Sequence, residues 1–527
     1  MRFRKLVGFC LGMVIIASHA AVISSTNSAN QYHLHSLSGF FRFNYDNNIK
    51  MPNQIQSIGL LGVNYFADIT PSIYAGIGGY GAIRGTQGGL FTVGIGGGVH
   101  HELISHWWGD VGLFVGGGGG RASLVGGGLM LRPSVGIAYA WPWARLGLHY
   151  SYITFPSGEI RSQQLGIDVD LPTDFYYLIP QDSHVGRTLF NLDEIHLPKG
   201  KFIDFQRNDF AILLQAYKQR SGTNNIDNDI QDGTIKLVGA EFDHYFTDNI
   251  FWWLKTSGAF SGIPNGYMDV LGGLGYHYAL GSTGFAFVPQ MGIGAGGGGM
   301  VDTGGGFLVN PLLGIEYPLM SRFALRISSG YLWSPNGELN AVPITGELLY
   351  HLDNAIEKTK STNFFVNHYD IQGWRIQFFN QTYFHPQRTI SSTTSAIELI
   401  GVQIDQLFLP WFFISYQATG AYSGFHAGGY ATGMIGPGIQ SKEFFHHHIQ
   451  FFSEVLLGAG GGGGLAISGG SLIEPVIGIR YSFTPIIGVQ ASVSQLKALQ
   501  DNLNTPVLNV GLTVRFDILN QAYRGAT

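Results

Sequence analysis

The chain has 527 residues, a net charge of −5 and only 12% charged residues, about half the ~25% usual in soluble domains. Glycine numbers 77, roughly twice its usual share, and mean hydropathy is +0.13. Such a chain is not disordered, since disorder needs polarity and charge. The missing Gly-X-Y period excludes collagen, and the lack of a basic cluster leaves no footprint for nucleic acid.

The N-terminus reads as a cleaved secretory signal over residues 1–20. Arg2, Arg4 and Lys5 precede the apolar run Leu6–Ala17, and Ser18-His19-Ala20 offers small residues before Ala21. Twelve apolar residues are too few for a membrane span. The single cysteine, Cys10, falls inside this run, so disulfides and thiol chemistry are not expected in the mature chain.

The first unit, 39–176, alternates with period two, the signature of strands. Phe41, Phe43 and Tyr45 alternate with Arg42, Asn44 and Asp46. Ile73, Ala75 and Ile77 alternate with Tyr74, Gly76 and Gly78, and Val111, Leu113 and Val115 with Gly112, Phe114 and Gly116. Leu146, Leu148 and Tyr150 alternate with Gly147, His149 and Ser151. Leu165, Ile167 and Val169 alternate with Gly166, Asp168 and Asp170. One face is large and apolar, the other small or polar. That second face would make a poor soluble surface. A transmembrane barrel reverses the roles, with the apolar face on lipid and the other inside.

A polar linker, 177–207, leads to a second unit, 208–352; another, 353–371, leads to a third, 372–518. Residues 519–527 form a tail. The units share a pattern of two glycine runs, a proline and a GIxY segment, with Pro133, Pro311 and Pro475 and, at the end, Tyr139, Tyr317 and Tyr481. This is an internal triplication. Each unit reads as about eight strands. The expected fold is an all-β, antiparallel transmembrane β-barrel of about 24 strands. One closed barrel is expected on familiarity, and three tandem eight-stranded barrels, which the linker lengths favour, are the alternative.

The glycine runs Gly116–Gly120, Gly296–Gly299 and Gly460–Gly464 occupy the same place in each unit. A GxGxxG match at Gly292, Gly294 and Gly297 lacks a following helix and is not read as a nucleotide fingerprint. The runs mark bends or close backbone approach, and leave room for Tyr74, Tyr80 and Phe114. Tryptophans 107, 108, 141, 143, 252, 253, 333 and 411 fall near expected strand ends, where interfacial girdles place them.

Candidate chemistry is sparse. His446-His447-His448 and His100-His101-Glu102 put consecutive side chains on opposite faces, and the linker residues Asp182, His184, Asp193, Glu194 and His196 lack a ligand spacing. No catalytic, metal or cofactor-binding residue is expected, and no cofactor. Arg42, Asn44, Arg132, His149, Asp168 and Asp170 share the inward face of unit one; Arg132, Asn310 and Glu474 precede the shared prolines. These eight are the candidate lumen-facing polar residues. They either neutralise one another or tune ion preference along a pore.

The last strand, Asn509-Val-Gly-Leu-Thr-Val-Arg-Phe516, resembles the C-terminal sorting signal of bacterial outer-membrane β-barrel proteins, with Asn509, Gly511, Val514 and Phe516 at its key positions. Eleven residues follow Phe516, where that family usually ends. The resemblance implies a Gram-negative outer membrane, the lipid bilayer and the barrel assembly machinery as partners, and passive, porin-like channel function. The alternatives are a closed-barrel structural or surface-interaction protein working through its loops, and an outer-membrane lipid-modifying hydrolase.

Overall fold

Alternating side chains fix which face of a strand points inward, and backbone pairing then decides how the strands close. The computed structural model describes residues 32–521 except 54, 121, 182–183, 190–194, 197–201, 263–265, 359–368, 390–394 and 446–447. Among the described residues the fold is all-β and antiparallel but for one short parallel pair, with a four-residue helical turn, Ala122–Val125, and a 3-10 turn, Gly281–Thr283.

The first ring comprises β1 (Tyr32–Ile49), β2 (Ile58–Thr70), β3 (Ile73–Arg84), β4 (Phe91–Ile104), β5 (Trp107–Gly119), β6 (Met130–Ala140), β7 (Arg145–Thr154) and β8 (Arg161–Leu178). Three short strands follow: β9 (Thr188–Leu189), β10 (Ile195–His196) and β11 (Phe202–Gln206). The second ring comprises β12 (Asn208–Gln219), β13 (Thr234–Tyr245), β14 (Ile250–Ser261), β15 (Met268–Tyr276), β17 (Ala286–Gly297), β18 (Phe307–Met320), β19 (Phe323–Gly330) and β21 (Asn340–His351). The two-residue strands β16 (Tyr278–Ala279) and β20 (Leu332–Trp333) extend its rims. After β22 (Asn354–Lys358), the third ring comprises β23 (Tyr369–Tyr383), β24 (Ile397–Leu409), β25 (Phe412–Ser423), β26 (Ala431–Gln440), β27 (Ile449–Gly461), β28 (Ser471–Ser482), β29 (Ile487–Ala498) and β30 (Asn504–Gln521).

The single large barrel expected from the sequence is not what the strands form. β1 pairs with β8, β12 with β21 and β23 with β30, all antiparallel. First and last strand of each unit therefore meet, and each ring closes on itself. Closure uses both edges of every long strand, so none is left to join the next unit along its length. The linker strands instead tie the rings at the end where their termini gather. There β11 pairs with β22, β9 with the start of β23, and β10 runs parallel to the start of β1.

The rings have two unlike ends. Most turns at the terminus end are tight, such as Thr70 to Ile73 and Leu409 to Phe412, with longer connections from Tyr276 to Ala286 and from Gln440 to Ile449. Longer loops lie at the other, and the glycine runs are there. The outer walls expose large apolar side chains: Val111, Val135, Leu148 and Leu165 in ring one, Met291, Leu313 and Ile344 in ring two, Val455, Ile477 and Val493 in ring three. Trp107, Trp141, Trp143 and Trp411 stand exposed at the tight-turn end. Trp253 departs from the girdle expectation, being fully buried, and packs in space left by Gly292. Trp252 faces ring one instead, edge-on to Phe41 at 5.8 Å.

The glycine runs serve as the joint between rings. Gly428 and Gly429 of ring three donate to the carbonyls of Gly126 and Gly118 of ring one, at 2.9 and 3.2 Å. Gly88 of ring one donates to Gly304 of ring two at 3.0 Å. Between rings two and three, a Cβ at Gly266 would lie 3.1 Å from the Gly462 nitrogen. Each ring thus offers the loop after its fifth strand to the hairpin between the third and fourth strands of a neighbour, and the three contacts run in a circle.

Candidate functional site

Two kinds of interior space result: three ring interiors, and the region the rings enclose between them. The ring interiors are crossed by ion pairs. In ring one the Arg42 Nε lies 2.7 Å from Asp170, and its Nη1 3.0 Å from Asp110. Arg42 and Asp170 are direct cross-strand partners of β1 and β8. The Arg132 Nε lies 2.7 Å from Asp46, and the His149 ring bridges Asp46 at 2.9 Å and Asp168 at 2.8 Å. Asn44 donates to Asp168 and accepts from Asn64 at 2.7 Å. The six polar residues singled out in unit one therefore fall into two neighbouring clusters, Arg42 and Asp170 with Asp110, and Asn44, Arg132, His149 and Asp168 with Asp46.

In ring two, Arg326 is fully buried and contacts four carboxylates: Asp243 at 2.8 Å, Glu316 at 3.0 Å, Glu241 at 3.1 Å and Glu347 at 3.2 Å. Asn310 donates to the Tyr331 carbonyl at 3.1 Å and lies 3.5 Å from the Lys255 ammonium. In ring three, Arg375 and Arg480 share Asp405, at 3.0 and 3.3 Å. Glu474 accepts from Ser494 at 2.5 Å and from Gln381 at 3.3 Å. Glu474 and Asn310 belong to rings other than that of Arg132, so the three residues before the shared prolines never meet. Such networks suit side-chain-filled eight-stranded barrels, because a buried charge needs a partner.

Aromatic rings fill the remaining space, and glycines face them. A Cβ at Gly116 would lie 2.6 Å from the Phe114 ring, and one at Gly98 2.5 Å from the Tyr74 hydroxyl.

A cavity of about 3100 Å³ lies between the rings. Its walls are the outward faces of strands from all three, and they are predominantly apolar: Phe43, Val63, Ile77 and Ile95 from ring one, Val238, Phe242 and Leu254 from ring two, Ile376, Phe378, Val402 and Ile404 from ring three. Gly89, Gly266 and Gly429 of the joint border it at the long-loop end; His35, His184 and Phe516 border it at the terminus end. Aromatic pairs bridge the rings around it, Phe210 with Tyr416 at 4.6 Å and Phe175 with Phe516 at 5.0 Å.

This chamber escaped sequence reasoning. Its lining belongs to the same apolar face as the outer wall, so alternation alone does not separate them. The one signal present is size: Ala75, Gly79, Ala240 and Ala418 stand on chamber-lining strands, where the outer wall carries Leu, Ile and Val.

The histidine clusters resolve individually. His100 is buried, 3.6 Å from Asp68, while His101 and Glu102 are exposed. His184 packs edge-on against Tyr32 at 4.8 Å, and burial with nearby Arg187 and Arg515 holds its pKa below the usual imidazole value. His448 places Nδ1 2.7 Å from the Ser482 carbonyl. Asp182, Asp193, Glu194, His446 and His447, and the side chain of His196, lie outside the described residues. The GxGxxG glycines sit in and at the end of β17, with no helix following.

No protein-family model matches the chain, and no curated protein does. Among solved structures, the outer membrane protein OpdK of Pseudomonas aeruginosa aligns at 8% identity over 92% of this chain and 98% of its own, with a TM-score of 0.23. OccK3 (OpdO) of the same organism aligns at 9% identity over 92% and 96%, with a TM-score of 0.22, and OpdQ at 9% over 92% and 98%, with 0.21. Overlap at this level bears on no residue. In its antiparallel barrel architecture the chain resembles bacterial outer-membrane β-barrel proteins.

Proposed function

We propose that the protein resides in a bacterial outer membrane and acts as a passive, porin-like protein for apolar molecules, received in the central chamber rather than in a barrel lumen. One observation carries this reading: the ring interiors are occupied by buried ion pairs, while the 3100 Å³ space lies between rings and is walled by apolar side chains. An apolar wall holds apolar molecules and repels ions. The exposed Val, Leu and Ile of the outer walls fit a lipid-facing belt, with Trp107, Trp141, Trp143 and Trp411 at the interface. The tight-turn end is then periplasmic and the glycine joint faces outward. The three rings are read as copies of one repeated unit, and the last strand as the segment read by the assembly machinery.

The test pairs two measurements on detergent-purified protein. Planar bilayers should show insertion without large, uniform conductance steps. An environment-sensitive apolar dye should bind saturably in proteoliposomes. Large steps would overturn the reading, because an ionic path would have to cross the charged interiors. Neither steps nor dye binding would leave the closed-barrel structural or surface-interaction protein, which the filled rings also favour.

A further inference from the structure

The chamber is long and has unlike ends. Along β2 its lining runs from Leu61 to Ile69, eight steps at ~3.3 Å each, or about 26 Å of strand. Tilt of about 45° brings this to about 18 Å of depth. The shaft is predominantly apolar over this height. Ionisable and polar side chains gather at the terminus end, where His33, His35, Asp174, Gln181, His184 and Arg515, the last paired with Glu443 at 3.5 Å, border the space. At the opposite end the border is glycine backbone with the uncharged side chains of Thr92, Asn380, Thr382 and Tyr422.

A cavity of this size does not stay empty. Protein interiors are close-packed, and an unfilled void forfeits the dispersion contacts of every side chain around it. Water is a poor filler, since each molecule needs two to four polar partners and Val63, Ile77, Phe242, Phe378 and Val402 offer none. The occupant that fits a predominantly apolar shaft with its ionisable groups at one end is a chain-bearing amphiphile. The bilayer around the rings supplies it.

We infer that the chamber houses acyl chains of membrane phospholipid, with the headgroup at the terminus end beside His35, His184 and Arg515. This rests on the reading of the chamber as accessible to apolar molecules and names what fills it. The chains complete the packing between rings that otherwise touch through a glycine joint, a few aromatic pairs and the linker strands.

The experiment measures phospholipid phosphorus per chain after exhaustive detergent exchange, with the extracted lipid identified by mass. The wild type is compared with the triple variant Ala75→Trp, Ala240→Trp, Ala418→Trp, which fills the chamber from one residue per ring. Expected is at least one phospholipid per wild-type chain and a loss of fivefold or more in the variant. Equal retention in both means lipid on the outer walls only, and overturns the inference. Free fatty acid or another apolar compound in place of phospholipid overturns it too. So does a wild type that carries no phospholipid but binds the apolar dye, which leaves the proposed function standing; failure of both sinks the two together. Should the triple variant not assemble, a phospholipid with a photoreactive acyl chain decides on the wild type. Crosslinks on β2, β13 and β24 support the inference, and crosslinks confined to outer-wall residues such as Leu148, Ile315 and Ile477 overturn it.

Discussion

The backbone N–H of Gly429 donates to the carbonyl of Gly118 at 3.2 Å, tying the third ring to the first with no side chain on either partner. Both residues have positive φ, +91° and +127°, a region costly for other residues. A Cβ at Gly429 would also collide with the Gly120 carbonyl. Gly429→Val is therefore expected to cost about 2–4 kcal/mol, through strain at φ and loss of the joint. Gly222→Ala supplies the contrast. Its φ is +79°, but a Cβ there meets nothing within 4 Å, so only the strain remains, about 1 kcal/mol. Thermal unfolding in detergent followed by circular dichroism checks both; equal losses would mean that the joint contributes little.

Arg326 holds four carboxylates in the second ring, more than any single partner could neutralise if removed. Arg326→Ala would leave Glu241, Asp243, Glu316 and Glu347 facing one another in a dry interior. Breaking a buried ion pair costs about 3–5 kcal/mol, and the expected result is a second ring that fails to close. Arg84→Ala, at an exposed guanidinium donating to Asn47 at 2.9 Å, should change stability by under ~1 kcal/mol. The heat-modifiable shift of folded barrels on gels reads both variants.

How much of this was legible in sequence follows from what alternation encodes. Phe41 and Arg42 declare their faces by the company they keep, and Arg42 indeed meets Asp170 inside while Phe41 points out. Alternation does not say which strand lies beside β1. The pairing of Leu34–Asp46 with Gly166–Leu178 is a long-range choice, to which the linker lengths alone pointed. Adjacent Trp252 and Trp253 illustrate the same limit. Their opposite faces were readable; that Trp253 finds a vacancy over Gly292 was not, because the vacancy comes from a strand 39 residues on. The chamber was least legible, since Phe43 and Leu165 are the same kind of residue on the same face. Only the packing of three rings turns one toward the axis and the other toward the outside.

Asp353 lies beyond the end of β21, outside the spanning strands, and burial pushes its carboxyl up to about 6, with Asp209 adding to the rise and Arg207 opposing it. The unfolded value is near 3.9. Protonation is thus favoured in the folded state, so the stabilisation linked to this proton is full below pH ~4 and is lost as pH rises through about 6. The expected change is up to about 3 kcal/mol, from a shift of some two units at 1.36 kcal/mol each. Asp353→Asn keeps the shape without the charge and should flatten this part of the pH–stability curve. Denaturant unfolding between pH 4 and 7.5 tests it; an unchanged slope in the variant would assign the dependence to other groups.

Phe516 stands in two expectations at once. As the aromatic of the Asn509–Phe516 segment it belongs to the proposed sorting signal, yet it lies inside β30, with five more strand residues after it. It also packs edge-on against Phe175 of the first ring at 5.0 Å. Phe175→Ala removes that contact, worth about 1 kcal/mol beyond burial, and leaves the segment intact. Phe516→Ala removes both. If the segment is read during assembly, Phe516→Ala lowers the amount of heat-modifiable protein in the outer-membrane fraction several-fold, while Phe175→Ala leaves it within a factor of two and lowers only the melting temperature. Equal yields for the two variants would make Phe516 a packing residue, and would move the search for the assembly segment to Asp517–Gln521, the true end of the strand.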